Sequence, residues 1–222
     1  MNNEVKTNTL FCCKVPYLEG FFEKYEYPWQ MLPDIKNLIS DLLEKGIDGF
    51  CEIKSGVLIG KNVKIADTAT IESPAIIGEG TEIRPGAYIR GNVITGKNCV
   101  IGNSTELKNC ILLDTVQVPH YNYVGDSVLG NHAHMGAGSI CSNLKSDGKN
   151  VVIHAGSEIQ TGLRKIGGIL GDCADIGCGC IVNPGTVVGK GTSVYPLTSL
   201  RGVYPEKSIV KSQKVVVRKE SV

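Results

Sequence analysis

The chain has 222 residues, 42% of them hydrophobic, with 23 Lys and Arg against 22 Asp and Glu and a formal net charge of +1. A balance this close to neutral gives no electrostatic case for nucleic acid or a membrane surface as partner. No apolar run of about eighteen residues and no charged-then-apolar leader occurs, so the sequence reads as soluble and cytoplasmic, and its nine cysteines as reduced thiols.

Residues 1–52 form an N-terminal segment different in kind from the rest. Pro33 and Asp34 open a stretch with apolar residues at Ile35, Leu38, Ile39, Leu42 and Leu43, closed by Gly46. That spacing predicts an amphipathic helix over about 33–45. Its apolar face needs a partner. One expectation is that it packs across the open first coil of the domain that follows, capping its edge; the other is that it docks on a neighbouring subunit.

From residue 53 to 205 the chain repeats every six positions. Isoleucine or leucine stands at 59, 65, 71, 77, 83, 89, 101, 107 and 113, interrupted only by Thr95, and a smaller residue precedes each by two, as in Val57, Val63, Ala69, Ala75, Ala87, Val93, Cys99 and Ile111. Such a period marks a hexapeptide β-helix. Residues i and i+2 of a strand share a side, so both series face inward and the residue between them faces solvent. Three six-residue sides close a coil of about eighteen residues, and coils stack about 4.8 Å apart through parallel hydrogen bonds. The expected fold is an all-β solenoid of stacked parallel strands.

The phase breaks after Leu113, resumes at Leu129 and Met135, breaks again, and runs from Leu170 through Ile176, Val182, Val188 and Val194 to Leu200. Loop insertions are therefore expected near 114–127 and 142–167, and loops on a rigid scaffold are where chemistry usually sits. Cys99 and Cys180 fall in the small inward series, where a thiol acts as a compact hydrophobe, so Cys178-Gly179-Cys180 reads as a corner residue and a core residue rather than a metal clip. Residues 206–222, alternating basic and apolar, read as a solvated tail or a strand laid along the coil.

Around the breaks the chain carries Pro119-His120-Tyr121-Asn122-Tyr123-Val124-Gly125-Asp126 and His134-Met135-Gly136-Ala137-Gly138-Ser139-Ile140-Cys141-Ser142-Asn143, with Arg84-Pro85-Gly86-Ala87 and Glu106-Leu107-Lys108 upstream. Together these resemble the acetyltransferase half of the bifunctional enzyme that makes UDP-N-acetylglucosamine, a hexapeptide-repeat acyltransferase with a left-handed parallel β-helix. The run Gly162-Leu163-Arg164-Lys165, Gly171-Asp172 and Asn183-Pro184-Gly185-Thr186 resembles the β-helical halves of sugar-1-phosphate nucleotidylyltransferases. Left-handedness comes from the resemblance alone, since parallel crossovers generally favour the right hand.

The resemblance implies an acetyl-CoA-dependent N-acetyltransferase acting on an amino-sugar phosphate or nucleotide sugar, glucosamine 1-phosphate being the type acceptor. His120 matches the catalytic base, a role that an imidazole of ordinary pKa near 6.5 suits. Asn143 matches a sugar-contacting position within the catalytic group, and the backbone N–H of Leu144 matches the oxyanion donor. Arg84 and Lys108 match the ligands of the sugar phosphate, with Tyr123 and His134 as further substrate contacts. Gly136, Ala137, Gly138 and Cys178 match the coenzyme A positions. The family pattern has asparagine at His134, serine at Cys178 and tyrosine at Leu144, so acceptor and acyl donor are open at these points. The resemblance also implies a homotrimer with sites between parallel coils.

No glycine-rich nucleotide loop precedes the coil, so no nucleotidyltransferase domain is expected. That supports a second reading, a non-catalytic sugar-phosphate-binding partner of a separate nucleotidylyltransferase. A third is a γ-carbonic-anhydrase-like zinc protein, with His132 and His134 on one strand and His120 and His154 near in sequence; the spacing departs from that family's ligands, and no metal is expected.

Overall fold

The computed structural model describes residues 3–212 and 215–219. Short strands such as Glu82–Ile83 and Tyr88–Ile89 alternate with tight corners, and each strand pairs in parallel with its counterpart one coil later. Ala75 faces Val93, Lys64 faces Glu82 and Thr70 faces Tyr88, each eighteen positions on. The chain is a β-solenoid of three faces. Its inward residues, from Val57 and Ile77 to Leu200 and Val210, form one continuous apolar core. Thr95, the interruption in the series, stays inside because its hydroxyl accepts the Gly78 N–H at 2.9 Å.

The first change of phase is a deletion, not an insertion. Ile94 faces Ile111, Val100 faces Gln117, Glu106 faces Tyr123 and Gln117 faces His134, all seventeen positions apart. Two sides have lost one residue each, Leu107 to Leu112 and Val124 to Leu129. The full-length corner before them turns through Gly91 and Asn92, both left-handed, whereas the shortened corners turn through Asn109 (φ 49°) and Asp126 (φ 47°) alone. Residues 114–127, expected as a loop, are therefore coil, with strands Gln117–His120 and Tyr123–Leu129. Ile111 and Leu113, expected inside, point outward instead, and Cys110 and Leu112 take the inward places.

The second change of phase is an insertion. Val128 faces Ile169 across forty-one positions. The excursion leaves after Cys141, forms an antiparallel hairpin of Val152–His154 with Glu158–Gln160, and rejoins the coil at Gly168–Leu170.

One face of the solenoid is not solvated. Its outward residues Leu58, Ile76, Ile94, Ile111, Val128, Ile169 and Val187 are all buried. They meet Leu10, Phe11, Leu18, Trp29, Met31, Ile35 and Ile39 of the N-terminal segment in a second apolar core, which Val151, Ile153 and Ile166 of the insertion join. Burying a side chain of this size stabilises by about 1.5–3 kcal/mol relative to exposure. The helix Ile35–Lys45 touches strand Val93–Thr95, and the preceding 3₁₀ turn Pro28–Asp34 touches Tyr123–Leu129. Asp172 pins the segment further: its N–H donates to Leu10 O at 3.0 Å and its Oδ2 accepts from Cys12 N at 2.8 Å.

The helix thus covers a side of the coil rather than its open end, because its partner is the outward apolar stripe. The first coil's edge is closed by Cys51–Lys54, antiparallel to Val57–Ile59. At the other end Ser208–Ser212 forms the last rung and Val215–Arg218 turns back on it antiparallel. The remainder of the expected tail, 213–214 and 220–222, lies outside the described residues. No helix among the described residues is long and apolar enough to cross a membrane.

Candidate functional site

Two adjacent corners of the solenoid carry the candidate residues. The first is a backbone ladder: Tyr121 N donates to Asn103 O at 2.8 Å, Gly138 N to His120 O at 3.0 Å, Gly179 N to Ala137 O at 2.8 Å and Leu197 N to Cys178 O at 2.9 Å. His120, Ala137 and Cys178 therefore stand in one column on successive coils. Arg84 opens the same corner lower in the stack, where Ser104 N donates to Pro85 O at 3.3 Å. The column is small where Gly136 passes close to the next coil. A Cβ on Gly136 would lie 2.6 Å from Cys178 N.

His120 ends the strand Gln117–His120, and its N–H donates to Asn122 Oδ1 at 3.1 Å. The Asn122 amide in turn donates to Gly136 O at 2.8 Å and Ser139 O at 3.2 Å, so a buried side chain links the two halves of the motif. The His120 side chain is exposed and its imidazole has no hydrogen-bond partner among the described residues. Beside it Tyr121, left-handed at φ 51°, stands 65% exposed, and Leu197, left-handed at φ 58°, stands 84% exposed further up the column. Bulky residues rarely adopt this conformation.

The second corner gathers around a residue that motif matching did not single out, Asp126. Its side chain is only 6% exposed. Lys108 Nζ lies 3.1 Å from Oδ2 and 3.3 Å from Oδ1, Asn109 Nδ2 donates to Oδ1 at 2.8 Å, and Asn143 Nδ2 donates to Oδ2 at 2.5 Å. Asn143 Nδ2 is also 3.2 Å from Tyr123 Oη. Burial, then the Asp126 and Glu106 carboxylates, push the Tyr123 phenol above its ordinary pKa, so it remains a neutral hydroxyl. The signal in the sequence was the Gly125-Asp126 pair at a five-residue side, legible only once that side is known to be short.

The structure thus divides the expected residues. Arg84, His120, Gly136–Gly138 and Cys178 share one corner; Lys108 and Asn143 share the next, and Tyr123 reaches it across the face between. His134 lies on a different face, its Nδ1 2.8 Å from Asp175 Oδ1. Leu144, 41% exposed, bridges Lys165 at the base of the insertion. Arg84 already pairs with Glu82 at 3.1 Å and Lys108 with Asp126, so neither is a bare cation. The four histidines stand apart, and among the described residues no three His, Cys, Asp or Glu side chains could hold a metal together.

Over residues 71–163 the chain matches the model of the GMPPB C-terminal domain. It is 30% identical to a bifunctional protein GlmU of Methanococcus maripaludis, over 91% of this chain and 50% of that protein. It is 32% identical to a bifunctional sugar-1-phosphate nucleotidylyltransferase/acetyltransferase of Sulfurisphaera tokodaii, over 82% of this chain and 47% of that one. The chain resembles the GlmU proteins. It spans about half the length of these curated relatives. Among solved structures, a point mutant of the N-acyltransferase AntD from Bacillus cereus, in complex with dTDP-4-amino-4,6-dideoxyglucose and coenzyme A, aligns at 19% identity with a TM-score of 0.45. That alignment covers 79% of this GlmU-like chain and 93% of AntD.

Proposed function

We propose that this chain is an acetyl-CoA-dependent N-acetyltransferase acting on an amino-sugar phosphate or nucleotide sugar of the glucosamine 1-phosphate type. The observation that carries the reading is the His120 corner. A free imidazole stands on a residue whose backbone O accepts the Gly138 N–H and whose N–H donates to Asn122 Oδ1, next to Ala137 and Cys178 in a column that presents little side chain. In the proposed reaction the acceptor amine attacks the thioester carbonyl, His120 takes the proton from nitrogen, the C–S bond breaks, and the departing thiolate receives that proton, so coenzyme A leaves as the thiol and the imidazole is restored. General base catalysis of this kind contributes about 10²–10⁴-fold. The Leu144 N–H is the proposed oxyanion donor, and Asn143, Tyr123, Lys108, Arg84 and His134 the proposed acceptor contacts. Gly136, Ala137, Gly138 and Cys178 are the proposed path of the pantetheine arm.

His120 and the Asp126 cluster stand on different corners, which supports a site completed by a second copy. We therefore place the chain in a homotrimer of left-handed coils, with residues 53–205 as the catalytic domain. The names of the GlmU and nucleotidylyltransferase/acetyltransferase relatives agree with this reading. The test is direct: acetyl-CoA and glucosamine 1-phosphate together should release free thiol in the presence of the protein. Saturable sugar-phosphate binding without thiol release would favour the non-catalytic partner of a nucleotidylyltransferase. A monomer by light scattering would remove the shared site.

A further inference from the structure

We infer that Asp126 is the positioning residue of the acceptor site, a buried carboxylate that fixes Lys108 and Asn143 relative to one another; the inference rests on the function proposed above. Lys108 and Asn143 come from different coils, and Asn143 stands on the first residues of the insertion, where nothing in the hexad pattern holds it. Asp126 joins the two. Its Oδ2 takes the Asn143 amide at 2.5 Å and the Lys108 ammonium at 3.1 Å, while Oδ1 takes Asn109 at 2.8 Å and Lys108 at 3.3 Å.

The backbone of the same residue closes the insertion. Asp126 O accepts the Gly167 N–H at 2.7 Å, and Asn143 O accepts the Ile166 N–H at 3.0 Å, so both ends of the excursion are tied beside the carboxylate. The arrangement satisfies a charge that would otherwise be costly on a side chain 6% exposed. It also leaves Lys108 with less attraction to spare for an incoming phosphate than a lone ammonium would have. What the pair supplies is geometry: an ammonium and an amide at set separation, with the Tyr123 hydroxyl 3.2 Å from the amide.

The test uses Asp126→Asn, which keeps the shape and accepts the left-handed backbone that Asp126 adopts at φ 47°, since asparagine tolerates that region. An amide is uncharged and has one acceptor oxygen where the carboxylate has two, so its NH₂ must face either the Asn109 donor or the Asn143 and Lys108 donors, and the cluster cannot be kept whole. Wild type, D126N, K108A and the double variant are compared for acetyl transfer and for equilibrium binding of glucosamine 1-phosphate, with a melting curve for each. The expected result is at least a tenfold rise in acceptor KM and Kd for D126N and an unchanged KM for acetyl-CoA. The double variant should be no weaker than K108A alone, as two residues acting through one another require.

Additive losses, or a D126N protein that binds the acceptor as wild type does, would overturn the positioning role while leaving the proposed function standing. Binding without transfer in wild type would sink the proposed activity, and the positioning role would then be decided by the Kd comparison alone. A wild type that neither transfers nor binds overturns both.

Discussion

Gly125 leaves open the space that the Asn143 amide occupies: a Cβ on it would lie 2.8 Å from Asn143 Nδ2 and would also collide with the Tyr123 hydroxyl. The two residues come from different coils, and only the missing side chain lets the amide reach Asp126. All three clashing atoms, Tyr123 Oη and Cζ and Asn143 Nδ2, lie at the far ends of two side chains, so the backbone has no reason to move. Gly125→Ala should therefore lower acetyl transfer by roughly 10²-fold, the scale of a misplacement of about 1 Å, and leave the melting temperature near wild type. A large loss of stability with activity per folded molecule preserved would show that the glycine serves the coil instead.

His120→Ala should lower turnover by about 10²–10⁴-fold without unfolding the chain, because the imidazole makes no hydrogen bond among the described residues and only its backbone holds the ladder. Steady-state kinetics beside circular dichroism decide it. Turnover within a few-fold of wild type would remove His120 as the base.

The hexad count read the solenoid, its inward series and the long insertion because burial in a coil follows a strict period. It misplaced Ile111 and Leu113 because one residue is lost between Leu107 and Leu112, and counting by six cannot see where a left-handed Asn109 shortens a turn. The covered face was present in the sequence but unread. Leu58, Ile76 and Ile94 recur every eighteen residues, then Ile111 and Val128 every seventeen, an outward apolar stripe that solvent would not favour. That stripe was the missing partner of the Ile35–Lys45 helix. His120, Lys108 and Asn143 were legible as a motif, but their division between two corners depended on faces that sequence spacing alone does not number.

The covered face makes a stability prediction. Ile94 is fully buried between the coil and the N-terminal segment, whereas Ile181, on the face between the two site corners, is only half-buried. Ile94→Ala should cost about 2–5 kcal/mol, the range for a buried large-to-small change that leaves a cavity. Ile181→Ala should cost distinctly less. Equal losses in urea melts would mean that the N-terminal segment does not cover this face in solution.

Burial also sets how the thiols respond to pH. It pushes Cys99 and Cys141 up to about 12, and raises Cys110 as well, while Cys12, Cys51, Cys173 and Cys178 are exposed. The raised groups are held neutral in the folded chain and ionise more readily in the unfolded one. Their contribution to stability is complete below the ordinary thiol range and is lost as pH rises from about 9 towards 12. At pH 8 an aromatic disulfide reagent should therefore react quickly with the four exposed thiols. Cys99, Cys110 and Cys141 should react only after denaturant is added, since the thiolate is the nucleophile. Denaturation midpoints measured from pH 8 to 11 should fall steadily in wild type and less steeply in a Cys110→Ala, Cys141→Ala double variant. Parallel curves for the two proteins would mean that these thiols are not held neutral by burial.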